Sequence, residues 1–335
     1  MAWRNPYFDP ARAHHRVDGF VNPDPGIPVG GDFWRWQRER RAAGVPKAPA
    51  DGYEAFAAQW RIAADFAVAD DTQPRIWWLG HACMLLRMNG LWVLTDPVLF
   101  GRASPFTFAG PARKIAAAAT VDQLPPIDVV LISHNHYDHL DRPTIIALAR
   151  RAERGRYTTK FLAPLGLAAK LKSFGARDVG EHDWWDAATH RGIEFRCVPA
   201  QHWSSRTLWD RNRTLWCGWT ARADGKCFYF AGDIGWWDGI AEIGERCGPI
   251  DLAALPIGAY APRWFMRGQH IDPAEAVRAH QLLRARHALA IHWGVFELAD
   301  DALDEPPQLL RHALSEAGLR DDDSWLLKQG ESRAF

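Results

Sequence analysis

Short apolar runs, each bounded by polar or glycine-containing loops, recur along the chain from about Pro74 to the C-terminus. Such runs are typical of strands, and 127–133 is apolar enough to be buried on both faces. The predicted strands are 75–79, 84–88, 91–95, 127–133, 159–163, 193–199, 215–221, 227–231, 252–256 and 288–291. The predicted helices are 33–43, 144–152, 165–174, 273–286 and 307–317. This mixture predicts a layered α/β fold.

The first 72 residues differ from the rest of the chain. Proline and glycine interrupt 22–31, which excludes a regular element there. The helix predicted at 33–43 would begin after Asp32, a favourable N-cap residue. We predict an N-terminal extension, 1–72, packed on a main domain of residues 73–335.

Charge and cysteine content narrow the class of protein. Forty basic and forty acidic residues give a net charge of zero, which argues against a dedicated nucleic-acid-binding protein. The five cysteines are scattered and form no C-x-x-C pair, so we expect reduced thiols in a cytoplasmic protein. The N-terminal residues lack the pattern of a signal peptide, and no apolar run approaches the length of a membrane span.

The main chemical signal follows the predicted strand 127–133. His134, His136, Asp138 and His139 place four metal-binding side chains within six residues, in a loop at the end of a buried strand. Imidazole and carboxylate groups without a thiolate suit zinc and, less specifically, iron or manganese. An exposed polar loop would rarely carry this pattern, so we interpret it as a metal-binding loop.

Three more predicted strands end in residues of the same type. These residues are His202, Asp233 and His292. Strand ends at the rim of a sheet are where α/β folds place their chemistry. Each signal is weak alone, but together with the loop they supply seven ligands, enough for two metal ions if one carboxylate bridges them.

The motif His-x-His-x-Asp-His, with the later His, Asp and His, resembles the metallo-β-lactamase superfamily. The runs 256–266 and 330–333 are similar to its branch of phospholipases D that hydrolyse N-acylphosphatidylethanolamine. The resemblance implies an αβ/βα four-layer sandwich that binds two zinc ions. It assigns one zinc to His134, His136 and His202, the other to Asp138, His139 and His292, with Asp233 bridging.

The same resemblance implies a phosphodiesterase that releases N-acylethanolamine and phosphatidic acid, with hydroxide between the zinc ions as nucleophile. Asp138 and Asp233 would take part in catalysis as well as bind metal, and Gln269 and His270 would lie near the phosphate. Tyr137 is a further candidate for contact with phosphate. One alternative is a hydrolase of a small soluble phosphorylated lactone or phosphodiester. Another is a metal-binding scaffold without turnover.

Other residues are expected to support the site or to lie outside it. Asp96 and Asp141 are candidate acceptors for the second nitrogen of a ligating imidazole, and His81 is expected to support the ligands rather than to be one. The pair His14 and His15 has no ligand set nearby in the sequence, so we expect it to be solvated.

The expected partner is a phospholipid substrate, and we expect no nucleic-acid partner. Phe33, Trp34 and Trp36 could seat their rings at a membrane surface while neighbouring arginines meet anionic headgroups. The alternative is that this helix packs on the main domain. The sequence is compatible with a homodimer and does not decide it.

Overall fold

The computed structural model describes residues 3–70 and 72–335, so Met1, Ala2 and Asp71 lie outside the described residues. In chain order, the strands are β1 (His15–Arg16), β2 (Gly19–Phe20), β3 (Arg75–Gly80), β4 (Cys83–Met88), β5 (Leu91–Thr95), β6 (Val129–Leu131), β7 (Lys160–Pro164), β8 (Asp178–His182), β9 (Ala187–His190), β10 (Ile193–Val198), β11 (Gly218–Ala223), β12 (Lys226–Phe230), β13 (Leu252–Pro256), β14 (His287–Ile291), β15 (Ser324–Trp325) and β16 (Ser332–Ala334). The helices are α1 (Phe33–Ala43), α2 (Gly52–Trp60), α3 (Arg142–Gly155), α4 (Ala168–Ser173), α5 (Ile240–Cys247), α6 (Arg263–Met266), α7 (Pro273–Leu283) and α8 (Glu305–Glu316).

Two seven-stranded sheets form the centre of the molecule. One has the order β16-β3-β4-β5-β6-β7-β8 and the other β15-β14-β13-β12-β11-β10-β9. Each sheet has an antiparallel half and a parallel half, and β10, β12 and β14 all run in the same direction. Their carboxyl ends therefore meet at one edge of the second sheet.

Successive side chains along the strands point to opposite faces of the sheet and so contribute to two separate hydrophobic cores. In β3, Trp78 faces the core between the sheets, whereas Trp77 faces a second core beneath α3 and α4. Residues of α5, α7 and α8, such as Ile243 and Leu310, cover the other face of the second sheet. The result is four layers, helix, sheet, sheet and helix, which confirms the predicted four-layer sandwich.

Helix α1 spans the residues that the sequence predicts, and Asp32 accepts a hydrogen bond from the Arg35 amide as its N-cap. Helix α5 is absent from the helices that the sequence predicts, and Gly244 in its middle has a low helix propensity. A Cβ at Gly244 would lie 2.8 Å from the Cα of Leu283, so the glycine allows α5 and α7 to pack closely.

The expectation that His14 and His15 are solvated is wrong, because both are buried. Nε2 of His14 lies 2.6 Å from Oδ1 of Asp183, and Nε2 of His15 lies 3.0 Å from Oδ2. The Asp9 amide donates to Nδ1 of His15, so in the neutral ring Nε2 carries the proton and faces the carboxylate. Residues far apart in the sequence thus tie the N-terminal segment to the domain. The boundary at residue 72 stays a prediction.

The helix α1 also differs from the expected membrane-facing element. Trp36 is buried, its ring stacks on Phe265 with centroids 4.6 Å apart, and its indole N–H donates to Asp300 at 3.0 Å. Only Trp34, 80% exposed, and the half-exposed Phe33 face outward. The expectation for Trp36 is therefore wrong, and α1 packs on the domain through that side chain.

Asp183→Ala should lower the free energy of unfolding by about 3 kcal/mol, because it removes a buried acceptor from His14 and the Trp184 amide and the carboxylate that faces His15. Urea unfolding followed by circular dichroism measures this. The matched control is Asp178→Ala, whose carboxylate pairs with Lys160 near the surface and should change stability by less than about 1 kcal/mol. Equal losses in both variants would contradict the anchoring role of Asp183.

Candidate metal centre and adjoining cavity

Four strand ends bring the seven predicted ligands together at one rim. The loop 134–141, hereafter the metal loop, follows β6, while His202, Asp233 and His292 follow β10, β12 and β14. The metal loop turns because the His136 carbonyl accepts hydrogen bonds from the amides of His139 and Leu140. The ligands therefore come from both sheets, and their geometry depends on how the sheets pack.

The first group contains three imidazoles. Nε2 of His134 lies 2.9 Å from Nδ1 of His136, which lies 3.3 Å from Nε2 of His202. Nitrogens about 3.3 Å apart are what a tetrahedral ion with bonds of about 2.0–2.1 Å requires. These three nitrogens can hold one metal ion.

The second group contains two imidazoles and a carboxylate. Oδ2 of Asp138 lies 3.3 Å from Nε2 of His139 and 3.5 Å from Nε2 of His292. Neither of these imidazole nitrogens has a hydrogen-bond partner, although both are buried. Buried polar atoms without partners are rare, and a bound cation would satisfy them.

Asp233 faces both groups. Its Oδ2 lies 3.0 Å from Nε2 of His139, 3.7 Å from Nε2 of His202 and 3.9 Å from Nε2 of His134. Its Oδ1 lies 3.1 Å from Nε2 of His292. A carboxylate placed between two ligand sets can bridge two ions.

Hydrogen bonds fix which nitrogen of two imidazoles is available. Nδ1 of His202 donates to the backbone carbonyl of Gln269 at 2.9 Å, and Nδ1 of His139 lies 2.6 Å from Oδ2 of Asp96. Each of these bonds places the proton on Nδ1 and leaves Nε2 with a lone pair for a metal. Asp96 also accepts a hydrogen bond from the Ser133 amide, which fixes the carboxylate in turn.

The charges within the site favour metal binding. Burial lowers the pKa of His136 to about 3 and that of His202 to about 4, so both are neutral, the form that binds metal. Burial opposes ionisation of Asp233, but His139 and His292 hold its pKa well below the usual range. Burial lowers the pKa of His292, yet Asp233 and Asp138 raise it to about 9. The carboxylates therefore attract positive charge to the second group, which a cation can supply in place of protons.

A cavity of about 480 Å³ opens beside the ligands. It is lined by the candidate ligands His136, Asp138 and Asp233 and by Val29, Gly30, Gly31, Phe33, Trp36, Trp203, Arg211, Ala259, Phe265, Met266, Gln269, His270 and Leu298. Nδ1 of His270 lies 4.0 Å from Oδ2 of Asp233, and burial lowers the pKa of His270 well below its usual range. The Oε1 atom of Gln269 is buried without a hydrogen-bond partner. Two neutral polar side chains thus lie beside the ligands in a largely apolar cavity.

Comparison with known proteins agrees with this architecture. The family model described as Beta-lactamase superfamily domain matches residues 91–293. The chain belongs to this superfamily. A possible metal-dependent hydrolase from Veillonella parvula superimposes with a TM-score of 0.64 over 79% of this chain and 100% of that structure, at 15% identity, which shows the shared fold.

Two curated relatives share the predicted branch. N-acyl-phosphatidylethanolamine-hydrolyzing phospholipase D 1 of Caenorhabditis elegans is 42% identical over 231 residues, which are 66% of this chain and 64% of the relative. The mitochondrial protein of that name in Saccharomyces cerevisiae is 34% identical over 251 residues, 73% of this chain and 52% of the relative. The chain thus spans about half to two thirds of these relatives. These relatives confirm the predicted resemblance. The predicted class, a metal-dependent hydrolase of this superfamily, is confirmed as well.

The residues expected to support the ligands have different outcomes. Asp96 contacts His139 as predicted. Asp141 instead caps α3 by accepting a hydrogen bond from the Thr144 amide, so its predicted contact with an imidazole is wrong. Nε2 of His81 lies 3.0 Å from Oδ2 of Asp138, within the second group, and its supporting role stays a prediction. Tyr137 points away from the cavity and donates to the Arg206 carbonyl at 2.9 Å.

Sequence reasoning missed the contribution of the N-terminal segment to the cavity. A Cβ at Gly268 would lie 1.9 Å from the Pro28 carbonyl oxygen, so this glycine lets the segment approach Gln269 and His270 closely. The only signal in the sequence is the glycine itself, and its partner is about 240 residues away.

Proposed function

We propose that the chain is a dinuclear zinc phosphodiesterase of the phospholipase D type. Its substrates would be N-acylphosphatidylethanolamine-like glycerophospholipids, cleaved to N-acylethanolamine and phosphatidic acid. The observation that carries the proposal is Asp233, shared by two ligand groups at the wall of an apolar cavity. The nematode and yeast relatives, both N-acyl-phosphatidylethanolamine-hydrolyzing phospholipases D, support the same reaction.

The proposed ligands fit zinc because five are imidazoles, two are carboxylates and none is a thiolate. One ion would be held by His134, His136 and His202, and the other by Asp138, His139 and His292. Asp233 would bridge them. When bound, two ions would supply an activated water and neutralise charge on the phosphoryl oxygens.

The side chains around the ligands have distinct roles in this proposal. Asp138 and Asp233 would hold the ions, and their carboxylates would accept a hydrogen bond from the attacking water and so orient it. His270 and Gln269 lie next to them in the cavity wall, where a neutral imidazole N–H and an amide N–H can donate to phosphoryl oxygens. Gln269 is buried with its amide nitrogen 3.3 Å from Sδ of Met266, and the His270 side chain is only 12% exposed, so the two side chains would orient the phosphodiester before reaction.

The rest of the cavity suits an amphiphilic substrate. Phe265, Met266 and Leu298 offer apolar walls for an acyl chain. At the mouth, the Arg211 guanidinium lies 4.3 Å above the Trp203 ring and donates to the Val29 carbonyl at 3.3 Å. Among the described residues, no carboxylate lies within 4 Å of it, so its charge is available to the phosphoryl group of a lipid headgroup.

The proposed substrate is a membrane lipid, so the enzyme needs access to a lipid surface. No helix in the described part of the chain is long and apolar enough to cross a bilayer. Exposed apolar side chains instead cluster in loops beside the metal loop: Leu208 is 89% exposed, Trp209 75% and Phe108 80%. A second cavity between these loops is lined by the basic residues Arg102, Arg142, Lys170 and Arg206. Apolar tips with basic neighbours fit an anionic membrane surface, where the protein would bind peripherally.

Two further expectations from the sequence, a cytoplasmic location and a homodimer, stay predictions.

Protein purified without added metal should contain about two zinc ions per chain, because each ligand group can hold one. Asp233→Ala should lose most zinc from both positions and most hydrolysis, since its carboxylate faces both groups. Elemental analysis and turnover of a long-chain N-acylphosphatidylethanolamine measure the two effects. The control His312→Ala changes an exposed histidine and should retain both. Full turnover without a transition metal would overturn the zinc assignment.

Arg211→Gln should lower kcat/KM for N-acylphosphatidylethanolamine about tenfold, because a charge-assisted hydrogen bond to phosphate is lost. The matched control is Arg35→Gln. Arg35 also lies 4.3 Å above a tryptophan ring, that of Trp264, but it pairs with Glu39, so its loss should have little effect. Turnover of a soluble phosphorylated lactone with none of the phospholipid would instead favour the small-substrate alternative.

Sedimentation with vesicles of phosphatidylethanolamine and phosphatidylglycerol should bring down the wild-type protein at low salt. The double variant Leu208→Ser and Trp209→Ser should stay in the supernatant but still hydrolyse a short-chain soluble substrate, because neither side chain lines the metal cavity. Leu309→Ser, on α8, is the control and should sediment normally. Wild-type protein that stays in the supernatant would contradict docking through this loop.

A further inference from the structure

The side chain of Arg206 contacts the backbone of the metal loop. Its Nη1 atom donates to the carbonyl oxygens of Asn135 at 2.7 Å and Leu140 at 2.8 Å, and lies 3.5 Å from that of His136. One nitrogen thus joins the beginning of the loop to its end. The loop residues between these carbonyls include three of the proposed metal ligands.

The contact is reciprocal. The guanidinium carbon of Arg206 lies 3.9 Å above the ring of Tyr137, and the Tyr137 hydroxyl donates to the Arg206 carbonyl at 2.9 Å. A side chain of the metal loop therefore holds the backbone of Arg206, while the side chain of Arg206 holds the backbone of the loop. Movement of either segment would break contacts in both directions.

The segment that carries Arg206 is itself fixed. Oδ1 of Asp210 accepts hydrogen bonds from the amides of Arg206 at 2.9 Å and Thr207 at 2.8 Å, and from the Ser205 hydroxyl at 3.1 Å. These bonds close the turn 205–210, so the arginine extends from a rigid base. Its backbone position does not depend on the metal loop alone.

The charges around Arg206 indicate that its guanidinium binds the backbone of the metal loop rather than a carboxylate. Within the described residues, no Asp or Glu oxygen lies within 4 Å of the Arg206 guanidinium. Its acceptors are carbonyl oxygens and an aromatic face, and a guanidinium can serve both at once because its plane stacks while its N–H groups donate.

We propose that Arg206 is a positioning residue for the metal centre: it fixes the curvature of the metal loop so that His134, His136, Asp138 and His139 face the ions. The proposal rests on the ligand set of the proposed function. It adds a residue that touches neither metal nor substrate and acts through the backbone of the ligands.

Arg206→Met keeps an unbranched apolar stem but removes every donor, and it should weaken zinc binding by about 10- to 100-fold, the usual effect of losing support for metal ligands. Arg206→Lys should fall between Met and wild type, because one ammonium in the place of Nη1 can meet both carbonyls but cannot stack on Tyr137. Competition of the metal-loaded protein with a chromogenic zinc chelator measures the affinity without any substrate.

The matched control is Arg151→Met. Arg151 also donates to two backbone carbonyls, those of Pro125 at 2.9 Å and Leu124, but these lie outside the metal loop. It should lower thermal stability and leave zinc affinity at the wild-type value. If Arg206→Met fails to fold, Tyr137→Phe removes only the return hydrogen bond and should still weaken zinc binding.

The proposal would be overturned if Arg206→Met, or Tyr137→Phe in its place, bound zinc with wild-type affinity. It would also be overturned if Arg151→Met lost as much zinc affinity as Arg206→Met. Failure of the proposed function has a different signature. In that case the wild type would release no N-acylethanolamine from its substrate, whatever the order of zinc affinity among the variants.

Discussion

The carboxylate of Asp233 lies between two groups of buried imidazoles, and the rest of the rim is arranged around that contact. A buried carboxylate is unfavourable unless positive charge or hydrogen-bond donors surround it. Here its nearest neighbours are Nε2 of His139 and Nε2 of His292, at 3.0 and 3.1 Å. Because these two histidines come from different sheets, the packing of the sheets and the charge balance of the site depend on each other.

This dependence explains why the supporting contacts come from so many parts of the chain. Asp96, at the end of β5, holds His139, and the Gln269 carbonyl, beyond α6, holds His202. Arg206 holds the metal loop from a turn that follows β10. A ligand set assembled from several strand ends has no single element that keeps it rigid, so hydrogen bonds from neighbouring loops fix each member separately.

The sequence predicts well those features that are encoded locally. The metal loop carries four candidate ligands in six positions, and Asp32 caps α1, so both features can be identified from spacing alone. The pairing of His14 and His15 with Asp183 cannot be identified in this way, because the partners are about 170 residues apart. The same reason applies to Arg206, whose acceptors are backbone carbonyls that have no side-chain signature.

The turn 205–210 joins two features that the proposed lipid hydrolase would need. Its tip exposes Leu208 and Trp209, whereas its base carries Arg206, half-buried against the metal loop. Arg206 and Trp209 are only three residues apart, and the Asp210 carboxylate closes the turn by accepting hydrogen bonds from the amides of Arg206 and Thr207. A lipid surface bound at the tip would therefore stand at a fixed distance and angle from the metal loop. Since the proposed amphiphilic substrate must leave that surface to reach the cavity, a rigid connection of this kind would keep the entrance aligned with the lipid while the substrate crosses.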